Sequence, residues 1–116
     1  MAAYLIFIRE KMRDATEYDR YKQLAPEAMQ GHAFTPHVVY GPCETLEGPD
    51  AQGVVVLEFA SREEARAFYC SPAYQEASRH RHLGCDYRVL LTEGREGEPP
   101  AAKGVAPLES LLEGKR

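Results

Sequence analysis

Cysteine is scarce in this chain. Cys43, Cys70 and Cys85 are scattered, odd in number and form no C-x-x-C pair. That excludes an obvious disulfide or zinc framework and fits reduced thiols in a cytoplasm. The ordinary role for each is a small packed hydrophobe, not a nucleophile. Long apolar runs are also missing, since none approaches the roughly 20 residues that span a bilayer. Ala2 to Ile8 is apolar, yet no basic stretch precedes it, and Arg9 and Glu10 follow where small cleavage-site residues belong. A buried strand is expected there rather than a secretion signal. Positive charge is not concentrated. The net charge is −4 with acids and bases interspersed, so no basic stripe is available for phosphates and no nucleic-acid partner is expected.

Motifs of dedicated chemistry are missing as well. There is no H-E-x-x-H, nucleophile elbow, P-loop or dinucleotide fingerprint. His80 and His82 stand two apart on an expected helix and so point about 200° from each other, a poor pair for one metal. No metal and no cofactor is expected.

What is present is an ordinary globular mixture in 116 residues, 44% hydrophobic and 28% charged, enough for one domain. Ala3 to Arg9, rich in Tyr, Leu, Ile and Phe, predicts a first strand. Tyr18, Tyr21, Ala25 and Ala28 recur at helical spacing within Arg13 to Gly31. Asp14 or Thr16 is placed to cap that helix, Pro26 to kink it and Gly31 to stop it. His37 to Gly41 and Gly53 to Ala60 predict two more strands. Ser61-Arg62-Glu63-Glu64 is a capping-box pattern opening a second helix that runs to about Cys70. Ser71-Pro72 restarts it as a helix reaching His82, and Tyr87 to Glu93 closes as the last strand. The order β-α-β-β-α-β is that of a ferredoxin-like α+β domain, a four-stranded antiparallel sheet with helices on one face. Glu98-Pro99-Pro100 and several glycines mark residues 95–116 as a tail outside the 1–94 domain. In it, Leu108, Leu111 and Leu112 form one short amphipathic segment.

A sheet covered on one face should alternate apolar and polar residues. Here both parities are apolar. Tyr4, Ile6 and Ile8 oppose Leu5 and Phe7; Val54 and Val56 oppose Val55, Leu57 and Phe59; Leu90 opposes Val89 and Leu91. The second apolar face predicts a homodimer closed sheet to sheet as a dimeric α/β barrel.

Particular residues carry a resemblance. They are Ala3-Tyr4-Leu5-Ile6, Gly41-Pro42-x-Glu44-x-Leu46-Glu47-Gly48, Glu58-Phe59-x-Ser61, Phe68-Tyr69-x-Ser71-Pro72-x-Tyr74-Gln75, Arg81, and the strand ending in Glu93-Gly94. Together, over roughly Ala2 to Gly94, they resemble the family catalogued as domain of unknown function 1330. The resemblance implies a dimeric α/β barrel. Its superfamily includes cofactor-free monooxygenases, isomerases and haem-degrading relatives. The family shows His-Gly-Gly-Arg after the first helix and an arginine before Gly-Gly-Pro. In this chain His32 matches, Ala33, Phe34 and Thr35 replace the rest, and Val39 and Tyr40 stand where the arginine and the first glycine would be. These exchanges remove an anion anchor and make the pocket more apolar and aromatic, so that the resemblance implies a bulkier, less charged ligand than the family's usual one.

The residues expected to form a site are His32 as acid/base, Arg81 as a second catalytic group, and Tyr69, Tyr74 and Tyr40 as substrate-binding groups. A histidine titrates near neutrality and can move a proton, although His32 could equally cap the helix before it. Phenols can hydrogen-bond a carbonyl or enol oxygen while their rings pack an apolar body. Arg81, seven residues after Tyr74, shares its helix face and needs an anionic partner, either Asp86 or a glutamate as a brace, or a ligand. Tyr18 and Tyr21 read as core. Two functions stay open. One is a cytoplasmic small-molecule-binding protein acting as a cofactor-independent enzyme in proton transfer, cyclisation, isomerisation or oxygenation. The other is a non-catalytic binding or structural dimer.

Overall fold

A computed structural model describes residues 1–95; the tail segment with Leu108, Leu111 and Leu112 lies outside the described residues. The elements are β1 (Ala3–Met12), α1 (Ala15–Met29), β2 (Thr35–Val39), β3 (Gly53–Phe59), α2 (Arg62–Tyr69), α3 (Pro72–Gly84) and β4 (Cys85–Glu93). The sheet is antiparallel in the order β2-β3-β1-β4. β1 is central, and each residue from Ala3 to Arg9 is flanked by one from β3 and one from β4. Leu5 lies between Leu57 and Leu91, Phe7 between Val55 and Val89, and Arg9 between Gly53 and Tyr87.

The alternation of strands divides these residues into two sets. Ala3, Leu5, Phe7, Leu57 and Phe59 are buried under the helices with Tyr18, Tyr21, Ala25, Ala28, Ala65, Phe68, Tyr74 and Ala77. The opposite set, Tyr4, Ile6, Ile8, Val54, Val56 and Leu90, faces away from the helices and is partly or fully open. With Val38 of β2, 39% exposed, and Leu90, 42% exposed, this face is an apolar sheet surface with nothing of the described chain upon it.

Most expected boundaries hold within a few residues, and the departures have physical causes. β1 continues beyond Arg9 through a bulge to pair Lys11 with Asp86 and Met12 with Cys85, which draws β4 forward from Tyr87 to Cys85. α1 starts after Asp14, whose carboxylate accepts from the Thr16 and Glu17 amides. It runs through Pro26 as one helix, because Pro26 lies on the exposed side, where water can take up the carbonyl left without its amide. β2 starts at Thr35 and ends before Tyr40, whose φ of 56° is left-handed and cannot continue a strand. Ser61 accepts from the Glu64 amide and Ser71 from the Tyr74 amide, so both expected caps form.

α3 extends past His82 to Gly84 because Arg13 holds its end. The Arg13 guanidinium donates to the carbonyls of His82, Leu83 and Cys85 and to Asp86 Oδ1 at 2.9 Å. The Gly84 carbonyl accepts from the Arg13 and Asp14 amides at 2.7 and 3.0 Å. This close approach requires glycine: a Cβ at Gly84 would lie 2.8 Å from the Tyr18 nitrogen and 2.9 Å from the Asp14 oxygen, both backbone atoms. Gly84→Ala is therefore expected to cost about 1–3 kcal/mol as overpacking, read as a lowered urea midpoint with unchanged slope.

Candidate functional site

The aromatic core is polarised along its length. Phe34, Phe59 and Phe68 lie at one end, with centroids 5.7 Å apart for Phe34–Phe59 and for Phe59–Phe68. Tyr74 follows at 4.7 Å from Phe68, then Tyr21 at 6.2 Å from Tyr74 and Tyr18 at 6.0 Å from Tyr21. The tyrosine end also holds two arginines. Arg81 of α3 lies 5.0 Å over the Tyr87 ring and 5.9 Å from Tyr21. Arg9 of β1 lies 5.1 Å over Tyr18 and 4.9 Å over Tyr40. The phenols connect through Tyr21–Tyr74 at 2.8 Å, Tyr40–Tyr87 at 2.6 Å and Tyr87–Tyr18 at 3.5 Å, and Arg9 Nη1 donates to Tyr18 at 2.7 Å.

Arg81 is 1% exposed, and no carboxylate of the described residues pairs with it. Asp86, the brace considered from sequence, is engaged by Arg13 instead. Within the cage, Arg81 Nε and Nη2 have no hydrogen-bond partner. These two nitrogens form the edge of the guanidinium that grips a carboxylate or similar oxyanion with two parallel bonds. A buried charge without an anion is costly, and the surrounding rings compensate only in part through their negative faces.

The phenols are donors here rather than bases. Burial pushes Tyr21, Tyr40 and Tyr87 well above the ordinary tyrosine range. It raises Tyr74 as well, against the opposing pull of Arg81. For Arg81, burial opposes the charge, but the Tyr74 and Tyr21 oxygens outweigh it and the pKa is raised. The result is a pair of fixed cations among neutral O–H groups, an environment suited to negative charge on oxygen.

A cleft of about 190 Å³ adjoins this cluster, lined by Leu5, Arg66, Tyr69, Cys70, Val89 and Leu91. Its floor is the helix-facing side of β1 and β4. Its wall is the end of α2, where Ser71 donates to the Phe68 carbonyl and Gln75 to the Tyr69 carbonyl, fixing the break between α2 and α3. The Tyr69 ring lies 5.6 Å from Tyr74 and separates the cleft from the cage.

Of the residues expected from sequence, the structure thus gathers Arg81, Tyr74 and Tyr69, and joins Tyr40 through the Tyr87 hydroxyl. His32 is placed elsewhere. It packs edge-on against Phe68 at 5.4 Å and lines a separate cleft with Gly31, Ala33, Phe59, Glu64 and Ala67. Arg9, Tyr18, Tyr21 and Tyr87 join this cluster although no motif in the sequence marks them as site residues. The signal for Arg9 was its parity with Ala3, Leu5 and Phe7, which turns a charge inward. Of the cysteines, Cys85 is buried as expected, whereas Cys43 and Cys70 are exposed. Among the described residues no group of His, Cys, Asp and Glu is arranged to hold a metal, and no helix is long and apolar enough to cross a membrane.

The raised phenol values set an alkaline limit. Above the unfolded tyrosine value of about 10, the unfolded chain releases protons that the folded chain retains. Stability therefore falls as pH rises through the window between the two values. Phenolate absorbance from Tyr21, Tyr40 and Tyr87 is expected to appear together with loss of tertiary structure; its appearance in the still-folded protein would show that the cage does not hold these phenols neutral.

Comparison with known proteins agrees with this architecture. The profile of the family described as a domain of unknown function, DUF1330, matches residues 2–95. A protein of unknown function from Rhodopseudomonas palustris has a similar structure at TM-score 0.62 and 18% identity, over 82% of this chain and 83% of that one. A dimeric ferredoxin-like protein of unknown function from Bacteroides fragilis gives 0.55 at 12% identity, over 80% and 96%. SnoaB, a cofactor-independent oxygenase from Streptomyces nogalater, gives 0.58 at 8% identity, over 84% and 97%. At these identities the likeness is one of fold. No curated protein gives a significant match. With the family profile spanning all but one of the described residues, the chain is a ferredoxin-like α+β domain and belongs to the DUF1330 family.

Proposed function

We propose that this protein is a homodimeric binder of a small organic oxyanion, and that it acts on that ligand without a cofactor. The observation that carries the reading is the unpartnered Nε–Nη2 edge of buried Arg81, in a cage of neutral phenols with no carboxylate of the described residues paired to it. The apolar body of the ligand rests on Leu5, Val89 and Leu91 in the cleft. Its anionic end reaches Arg81 past Tyr69, and the Tyr74 hydroxyl lies beside the same cation. Charge that develops on an enol or carbonyl oxygen during proton transfer, isomerisation or oxygenation would be stabilised there. SnoaB, with a similar fold, is a cofactor-independent oxygenase. One observation favours the non-catalytic alternative: His32, the expected proton carrier, lies behind Phe68, so the cage itself holds cations and neutral phenols but no evident base.

The dimer is supported by the apolar sheet face and by the similar dimeric protein from Bacteroides fragilis. Leu57 is 2% exposed on the helix side, whereas Val56 faces away. Leu57→Asp is expected to unfold the protomer, and Val56→Asp to leave it folded but halve the mass measured by light scattering at micromolar concentration. A monomeric wild-type mass would refute the dimer.

Ligand binding is tested with benzoate, phenylacetate and acetoacetate against their methyl esters, by calorimetry and by protection of cleft-lining Cys70 from iodoacetamide. At least one acid is expected to bind and protect where its ester does not. Arg81→Met should weaken that binding at least tenfold while leaving urea stability unchanged or raised, since an unpaired buried charge is removed. If no acid binds, or if Arg81→Met destabilises the fold without touching binding, the site as described is wrong.

A further inference from the structure

Tyr40 occupies a position that its side chain should avoid. Its φ of 56° lies in the left-handed region, disfavoured for an aromatic residue and comfortable for glycine. The strain is held on both sides. The Tyr40 amide donates to the Val54 carbonyl at 2.9 Å, and its hydroxyl bonds Tyr87 at 2.6 Å. The ring lies over the Arg9 guanidinium, 4.9 Å from centroid to Cζ. Space for the ring comes from Gly53 of β3, where a Cβ would fall 2.5 Å from Tyr40 Cδ1 and 3.0 Å from Cε1. A strained backbone and a matched glycine thus hold one aromatic ring over one cation.

That cation belongs to the cage around Arg81. Arg9 and Tyr87 are cross-strand partners, and Arg81 stacks on Tyr87. Arg9 lies on Tyr18, whose ring neighbours Tyr21 beneath Arg81. Arg9 Nε is buried without a partner, and no carboxylate of the described residues pairs with this side chain. The cage therefore has two cationic ends, of which Tyr40 covers one.

We infer that Tyr40 is a specificity-determining residue: by capping Arg9 it restricts the cage to ligands with a single anionic group, bound at Arg81, and excludes those with a second. The inference rests on the oxyanion-binding reading proposed above. Without the ring, Arg9 would offer a second anchor, and a dicarboxylate long enough to span the two cations would be preferred.

Two variants test it. Tyr40→Gly removes the ring and relieves the backbone, and Gly53→Ala displaces the ring while keeping Tyr40. Labelling with phenylglyoxal, followed by peptide mass mapping, reads the cover directly and needs no ligand. Arg9 is expected to be labelled at least fivefold faster in both variants than in the wild type, and Tyr40→Phe should stay close to the wild type. Titration with benzoate and terephthalate then reads specificity. The ratio of terephthalate to benzoate affinity should rise at least tenfold in both variants and fall back when Arg9→Ala is added. Unchanged Arg9 labelling would overturn the cover. Faster labelling with an unchanged affinity ratio would overturn the specificity role. Wild-type protein that binds neither acid, with Arg9 labelling still accelerated in the variants, would locate the failure in the oxyanion reading and overturn the specificity role with it, leaving only the cover.

Discussion

The tyrosine end of the core is arranged around a positive charge kept from water without an acid beside it. Arg81 sits at the junction of α3, α1 and β4, and the groups that meet it there are π faces and hydroxyls rather than carboxylates. Such a charge is tolerated because quadrupoles and oriented O–H dipoles replace part of its hydration. Burial keeps the phenols neutral, against the pull of the cation toward ionisation. The tyrosine end of the core is polar inside and the phenylalanine end is not, although both belong to one continuous aromatic stack.

Local structure was legible because it is written in short-range rules. The two serine caps, the helical spacing of Tyr18, Tyr21, Ala25 and Ala28, and the doubled apolar parity of β1, β3 and β4 each follow from residues close in sequence. Boundaries that shifted did so through distant contacts. Arg13 reaches across the fold to lengthen α3, and the bulge after Arg9 lets β1 continue until it draws in Cys85. No window of ten residues contains either fact.

The site was half legible for the same reason. Arg81, Tyr74 and Tyr69 come from one contiguous segment, so their spacing foretold their meeting. Arg9, Tyr18, Tyr21 and Tyr87 come from three other elements, and a tyrosine at a core position does not announce that its hydroxyl will share a network. His32 follows the end of α1 in sequence, yet in space it packs against the ring of Phe68 from another helix. Asp86 looked like a brace for Arg81 until Arg13, far away in sequence, claimed it.

The position of β1 has a consequence for how the chain reaches its fold. β1 is the earliest strand in chain order, yet it lies inside the sheet, with β3 beside it on one side and β4 on the other. During synthesis it waits with both edges unpaired until β3 arrives, and it keeps one edge open until β4 has cleared the ribosome. Pairings of such sequence separation close large loops and fold slowly compared with local hairpins. Throughout that interval both apolar faces of Tyr4 to Ile8 stand exposed, the state in which strands seek wrong partners. Arg9 and Glu10 adjoin this apolar run and Lys11 follows; charges in that position discourage edge-to-edge association until the native neighbours are in place.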